Sequence, residues 1–268
     1  MSMMGVIVQI FFFLLGSAIG SFLNVCIYRI PREKSIVNPP SACPGCEKPI
    51  RFYDNIPILS YILLKGKCRD CGSKISIRYP LVELLTGIFF LILYRQFGFS
   101  FELIVFVIFL SLLIVISFID LDFQIIPDVL SVGGVVLGFI LAIIRPLFRY
   151  LDPKFGILDS LYGIGLGGGL LFAIAWLYQF FTKREGMGGG DIKLLGMIGA
   201  FCGWKGVIFS LVSGSVLGTI VGIPLMLAKG RNTKYAIPFG PFLSLGAIIF
   251  IFRGDSLMNL LLKILLRD

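Results

Sequence analysis

The chain has 268 residues, of which 57% are hydrophobic and only 15% are charged, and its mean hydropathy is +0.96. A soluble core of this size cannot bury so many apolar residues, so the composition excludes ordinary soluble folds and predicts an integral membrane protein. The net charge of +9 is expected to reflect membrane topology and contact with anionic lipid, with no nucleic-acid partner. The chain contains no histidine, which excludes Ser-His-Asp and Cys-His catalysis and HExxH metal sites.

Eight apolar segments follow one another along the chain and predict an all-α polytopic membrane protein with about eight transmembrane helices. They cover residues 1–27, 79–94, 103–119, 129–144, 161–181, 192–204, 207–228 and 236–252. The first segment lacks a basic region at its start, so we expect a retained helix and not a signal peptide. Ten of the 24 lysines and arginines lie in residues 29–78, which predicts that this stretch is cytoplasmic and the N-terminus outside.

Two C-x-x-C motifs in residues 29–78 predict a zinc site. The expected ligands are Cys43, Cys46, Cys68 and Cys71. Four thiolates suit tetrahedral Zn²⁺, and a site closed by four cysteines is structural and not catalytic. Two disulfides or a redox dithiol are the alternatives, but disulfides are disfavoured in the cytoplasm and a redox motif needs no second copy. Gly45 and Gly72 are expected to help the turns form.

Two aspartates lie at the edges of apolar segments and indicate a catalytic pair. Asp120 follows the uncharged residues 103–119, and Asp191 follows three glycines. Carboxylates beside a membrane are costly and therefore suggest function. Two predicted spans lie between them and return the chain to the same cytoplasmic face, so the carboxylates can meet as in an aspartic protease.

Other interpretations of these acidic residues stay open. Asp120, Asp122 and Asp128 could instead cap or solvate helix ends, and Asp122 competes with Asp120 for the catalytic role. Lys193 is available to pair with a carboxylate or a lipid phosphate. A serine–lysine dyad is formally possible, although the lysines lie mostly in loops. A transporter would show broken helices arranged in a repeat, which the sequence does not display.

Five motifs occur in a characteristic order. They are residues 20–31 (GSFLNVCIYRIP), the two cysteine motifs, residues 78–83 (RYPLVE), residues 118–128 and residues 188–194, with Pro238-Phe239-Gly240-Pro241 beyond them. In these motifs the chain resembles the bacterial type IV prepilin peptidase and N-methyltransferase family. Members of this family are membrane aspartic proteases. The resemblance implies cleavage of the leader of prepilins or pseudopilins after glycine, at the cytoplasmic face of the bacterial inner membrane. It also implies methylation of the new N-terminal residue, usually phenylalanine, with S-adenosyl-L-methionine.

The resemblance also implies residue roles. Asp120 and Asp191 match the catalytic pair, with Asp128 a weaker competitor than Asp122. Candidates for supporting cofactor or substrate binding are Asn24, Arg29, Arg78 and Glu83. The arginines could instead be topology anchors, Asn24 could bond between helices, and Glu83 could pair with an arginine. A peptidase without methyltransferase activity stays an alternative.

The predicted organisation has four parts. Residues 1–28 form the first transmembrane helix, and residues 29–78 form a cytoplasmic zinc-binding domain. Residues 79–252 form the transmembrane peptidase core, and residues 253–268 form an amphipathic tail. The glycines at residues 165–169 lie within a predicted membrane helix, where close helix packing is their expected role. Membrane lipid is the expected surrounding partner.

Overall fold

A computed structural model describes residues 3–147, 156–183, 188–229 and 237–266, and these residues are predominantly helical. The helices are α1 Met3–Arg29, α2 Leu59–Leu63, α3 Arg78–Phe97, α4 Phe101–Phe123, α5 Asp128–Ile144, α6 Ile157–Ile164, α7 Leu171–Thr182, α8 Gly189–Lys229 and α9 Gly240–Leu266. A π-helical turn, Gly165–Leu170, joins α6 to α7. The chain divides into a first unit of residues 1–115 and a second unit of residues 116–268, with the boundary inside α4.

Several of these helices are suited to cross a membrane. Five helical segments have the length and apolar composition to do so: Met3–Arg32, Arg78–Phe97, Phe101–Phe123, Ile157–Thr182 and Gly189–Pro224. Asp128–Ile144 and Gly240–Gly254 are shorter apolar helices. Within α8 the backbone leaves helical geometry at Gly203, where φ is 69° and ψ is −178°. This break lies beside the predicted boundary between two short spans. The helical class is confirmed for the described residues, and the count of eight spans stays a prediction.

In the first unit, α1 and α3 approach each other through small residues. A Cβ atom added to Gly16 would lie 2.8 Å from Phe90 Cβ, and one added to Gly20 would lie 2.8 Å from Glu83 Cα. Lipid-facing helices gain little from hydrophobic burial against one another, so close van der Waals packing and interhelical hydrogen bonds join them instead. Asn24 Nδ2 on α1 donates to the Tyr79 carbonyl on α3 at 3.0 Å, which is the interhelical bond named above as the alternative role of this residue.

In the second unit, α8 packs against α5, α6, α9 and the π-helical turn. A Cβ atom on Gly167 would overlap the Leu195 carbonyl, and one on Gly168 would lie 3.7 Å from Gly196 Cα. The glycine run was expected to serve helix packing, and these two positions confirm it. Gly165 and Gly169 face open space instead.

We expect Gly167→Ala to destabilise the protein and Gly169→Ala to leave it unchanged or slightly more stable. An added methyl at residue 167 meets a backbone carbonyl that cannot rotate away, and overpacking of this kind costs about 1–3 kcal/mol. At residue 169 nothing lies within 4 Å, so only the better helix propensity of alanine acts. Thermal unfolding of both variants in the same detergent tests this, and equal melting temperatures would contradict it.

Candidate active site and cysteine cluster

Asp120 is a buried carboxylate near the end of α4. Its relative exposure is 5%, and its Oδ2 accepts the backbone N–H of Gly240 at 2.9 Å. Gly240 is the first residue of α9, so the carboxylate faces the end of that helix where the N–H groups carry partial positive charge. A buried carboxylate is costly without such a partner. The N-terminus of α9 therefore compensates a charge placed 120 residues earlier in the chain.

Asp191 lies in the first turn of α8 and is half-buried. The charge of Asp120 acts electrostatically on the Asp191 carboxylate, so the fold brings both aspartates into one site within the second unit. Each carboxylate is associated with the start of a helix, Asp191 with α8 and Asp120 with α9. Carboxylates whose charges interact in this way repel each other when both are ionised.

The glycines around the aspartates allow close approach. A Cβ atom on Gly240 would lie 2.7 Å from Asp120 Oδ2, and one on Gly188 would lie 3.1 Å from Asp191 Oδ2. One on Gly190 would lie 3.0 Å from the Cβ of Ile126. None of these glycines has a positive φ. Their contribution is thus the space left by the missing side chain and not an unusual backbone conformation.

The two competing aspartates have different surroundings. Asp122 is exposed, although it lies only two residues beyond Asp120. Asp128 begins α5, and its Oδ1 pairs with Lys193 Nζ at 2.6 Å, with 65% of the aspartate side chain and 42% of the lysine side chain exposed. Lys193 therefore pairs with a carboxylate, which is one of the two partners predicted for it. Asp128 is thus an exposed residue that forms an ion pair. Asp120 differs from both competitors because its side chain is buried.

The four predicted cysteine ligands converge in the first unit. Their sulfur atoms all lie within 4.8 Å of one another, and Cys43 Sγ is 3.7 Å from Cys71 Sγ. Tetrahedral coordination with Zn–S bonds of about 2.3 Å places the sulfurs about 3.8 Å apart. All four thiols are free, so the alternative of two disulfides does not describe this structure. The donor set and its spacing fit a metal ion of the zinc type.

Both cysteine motifs are closed by the same backbone pattern. Isolated antiparallel bridges join Ala42 with Pro49 and Lys67 with Lys74, in each case the residues one before and six after the first cysteine. The residue four positions after each first cysteine has a positive φ, 58° at Glu47 and 70° at Gly72. Gly72 thus supports its turn as expected. Gly45 acts differently, because a Cβ atom there would lie 2.9 Å from Ser73 Oγ of the other motif.

The thiols differ in acidity. The hydrogen bond to the Ser73 hydroxyl, supported by the Gly45 N–H, lowers the pKa of Cys43 to about 6. Although the Lys48 N–H acts in the opposite direction, burial and the neighbouring thiols raise the pKa of Cys46 to about 12. Crowded sulfurs resist a second negative charge because like charges repel. A bound dication would supply the compensation that four thiolates need.

A cavity of about 1060 Å³ lies in the first unit beside the cysteine cluster. Its lining includes all four residues predicted to support cofactor or substrate binding: Asn24, Arg29, Arg78 and Glu83. Cys43 and Cys68 line it as well. The cavity is large enough for a nucleoside-sized ligand, since small-molecule pockets typically occupy 300–1,000 Å³. The structure therefore places these four predicted residues around one cavity, together with many others.

Three of these residues have defined contacts. Arg29 donates from Nη1 to the Ser35 carbonyl at 2.8 Å and from Nη2 to the Pro39 carbonyl at 2.6 Å, so it fixes the loop that follows α1. Glu83 accepts the Ile58 N–H at 2.7 Å. Asn24 is 2% exposed and its Nδ2 is fixed by carbonyls, whereas no group in the described part of the chain donates to its Oδ1. A buried amide oxygen with no protein donor is available to accept a hydrogen bond from a bound molecule.

Two contacts in these sites were not predicted from the sequence. The motif at residues 238–241 was noted, but its role as donor to Asp120 depends on a pairing between distant helices. A glycine between two prolines at the start of an apolar segment was the available signal. Ile58, held by Glu83, carried no signal at all, because nothing in its residue type indicates a positive φ.

Apolar helices, two aspartates that interact electrostatically in the second unit and a four-cysteine cluster in the first define a polytopic membrane protein with a candidate two-aspartate centre. Residues 14–97 match the bacterial peptidase A24 N-terminal domain, and residues 107–223 match the type IV leader peptidase family. The chain belongs to the type IV leader peptidase family, and the resemblance seen in its motifs is confirmed.

Several curated relatives share one name and align with most of this chain. A prepilin leader peptidase/N-methyltransferase of Pseudomonas aeruginosa is 35% identical, with 93% of this chain and 92% of that protein aligned. The protein of this name from Neisseria gonorrhoeae is 36% identical, with 90% and 89% aligned. The one from Myxococcus xanthus is 41% identical over 85% of this chain, and the chain spans 66% of that relative's length. No solved structure matches the chain.

Proposed function

We propose that this protein removes the leader of type IV prepilins or pseudopilins after a glycine, and then methylates the exposed N-terminal residue. Family membership and the names of the relatives support both activities. The observation that carries the cleavage step is the buried Asp120 carboxylate, fixed by Gly240 N–H and acting on Asp191. An exposed or isolated aspartate would have neither property.

Cleavage is proposed to use the two carboxylates as a unit. One carboxylate takes a proton from a water molecule, the water oxygen attacks the carbonyl carbon of the glycine, and the protonated partner donates to the carbonyl oxygen. Breakdown of the tetrahedral intermediate breaks the peptide bond and transfers a proton to the leaving amine. Since Asp120 Oδ2 already accepts an N–H, the shared proton is assigned to Asp120 Oδ1 or to Asp191.

Methyl transfer is proposed to use the cavity in the first unit. S-adenosyl-L-methionine, when bound, supplies an electrophilic methyl group to the new amine. The buried Asn24 Oδ1 accepts an N–H from the bound molecules, and Arg29 and Arg78 provide positive charge beside it. Glu83 completes the proposed set of residues. The orphaned amide oxygen is the observation that supports occupancy by a hydrogen-bond donor.

Zinc is the proposed resident ion of the cysteine cluster. Cys43, Cys46, Cys68 and Cys71 would hold it, and four protein ligands leave it a structural role. The sequence further supports a cytoplasmic position for this cluster and for both aspartates, with the N-terminus outside, because basic residues concentrate in residues 29–78. The bacterial inner membrane is the proposed location.

The direct test uses the full chain in liposomes, a prepilin with a Gly-Phe junction and labelled S-adenosyl-L-methionine. We expect a shortened product that carries one labelled methyl group, whereas Asp191→Asn should give neither product. Cleavage without transfer of label would leave a peptidase only. An intact prepilin in the presence of the wild-type chain would overturn the proposal, provided that folding is verified by thermal unfolding.

A further inference from the structure

Ile58 has a backbone conformation that β-branched residues rarely adopt. Its φ is 63° and its ψ is −50°, and Leu59 N donates to the Pro57 carbonyl at 2.6 Å. A hydrogen bond from residue i+2 to residue i around such a centre forms a γ-turn of the positive-φ type, which is rare and strained. A branched Cβ adds to the strain. Such a conformation persists only where neighbouring groups hold it.

Glu83 on α3 holds the centre of this turn. Its Oε2 accepts the Ile58 N–H at 2.7 Å, and the Ser21 side chain on α1 lies beside the same carboxylate. Glu83 is itself only 8% exposed. A hydrogen bond to an ionised carboxylate is roughly twice as strong as one between neutral groups. The carboxylate therefore joins a strained turn to two membrane helices.

Other contacts hold the flanks of the turn. Ser60 Oγ donates to the Tyr53 carbonyl at 3.0 Å and accepts the Ile56 N–H at 3.1 Å. Arg69 of the second cysteine motif donates to both oxygens of Asp54, at 2.7 Å from Nη2 and 2.9 Å from Nε. These bonds fix the residues on either side of Pro57–Leu59, and among the residues that the structure describes only Glu83 accepts the central N–H.

We infer that Glu83 is a positioning residue that holds Ile58 in its γ-turn and so shapes the wall of the cavity. Ile58, Glu83 and Asn24 all line that cavity. Return of Ile58 to a negative φ would turn the chain at residues 57–59 and move this wall. The identity of the ligand as S-adenosyl-L-methionine rests on the proposed function, whereas the turn and its anchor do not.

A rescue experiment separates positioning from direct ligand contact. Glu83→Ala removes the anchor and lets the turn relax. Ile58→Gly removes the strain, because glycine adopts positive φ without penalty, so the turn no longer depends on the carboxylate. Combining the two substitutions should restore what Glu83→Ala loses. Glu83→Gln keeps an acceptor without the charge and should fall between wild type and Glu83→Ala.

Two measurements are made on the full chain in detergent: hydrogen exchange of the peptide covering residues 56–64 without cofactor, and equilibrium binding of S-adenosyl-L-methionine. We expect Glu83→Ala to speed exchange and to weaken binding by about tenfold, the loss of one charge-assisted hydrogen bond. Glu83→Ala with Ile58→Gly should recover binding and the slow exchange of the peptide, except at the amide of residue 58, whose acceptor is gone. Lys65→Gly is the matched control, since Lys65 also has a positive φ, 52°, but does not line the cavity. It should rescue neither measurement.

Binding that stays weak in the Glu83→Ala, Ile58→Gly double variant would overturn the inference and indicate direct contact of the carboxylate with the ligand. Unchanged exchange in Glu83→Ala would overturn it as well. If the wild-type chain does not bind S-adenosyl-L-methionine, the proposed cofactor fails, and the exchange series alone decides whether Glu83 holds the turn.

Discussion

We expect Asp120→Asn to slow leader cleavage by about a thousandfold or more, because general acid–base chemistry by a positioned carboxylate contributes about 10²–10⁴-fold. The amide has nearly the same shape and can still accept the Gly240 N–H through its oxygen, so the local fold should persist. It cannot accept a proton from water or share one with Asp191. Cleavage of a Gly-Phe prepilin, followed by mass spectrometry, measures the rate.

Asp122→Asn is the matched control for this experiment. It makes the same chemical change two residues away, at an exposed side chain, and should change the cleavage rate by less than about threefold, as is usual for surface substitutions. Full cleavage by Asp120→Asn together with loss in Asp122→Asn would transfer the catalytic role to Asp122. Equal melting temperatures of both variants exclude misfolding as the cause.

The sequence was sufficient to single out the chemical groups that the structure brings together in each candidate site. Asp120 and Asp191 were recognisable because carboxylates beside long apolar segments are costly, and the cysteines because of their paired spacing. Local composition carries both signals. It could not tell Asp120 from Asp122, because that difference depends on which side chain turns inward towards Gly240, the first residue of α9.

Contacts between distant segments could not be predicted from the sequence, because they depend on how the helices pack. The pairing of Asp120 with Gly240 depends on how helices pack, and the turn at Ile58 depends on an anchor on α3. The break at Gly203 could not be predicted either, because a glycine in an apolar segment can allow either a positive φ or close helix packing. At residue 203 the structure shows the former, and at Gly167 it shows the latter.

Removal of the cysteine cluster should have the largest effect on stability. We expect the double variant Cys43→Ser, Cys46→Ser to lose its zinc, because two of four ligands are gone and structural zinc contributes about 10–16 kcal/mol in isolated zinc-finger peptides. The two short β-bridges around the motifs supply little stability by themselves. Metal analysis and protease sensitivity of residues 41–75 measure the outcome.

Loss of the cluster should also reduce methyl transfer more than cleavage. Cys43 and Cys68 line the cavity proposed for S-adenosyl-L-methionine, and Arg69 of the second motif binds Asp54 beside the γ-turn. Unfolding of the cysteine motifs therefore removes one cavity wall and loosens another, whereas the proposed cleavage centre belongs to the second unit. Cys202→Ala is the control, because this buried thiol lies outside the cluster and should retain full zinc content. Unchanged metal content in the double serine variant would show that zinc is not held by these four sulfurs.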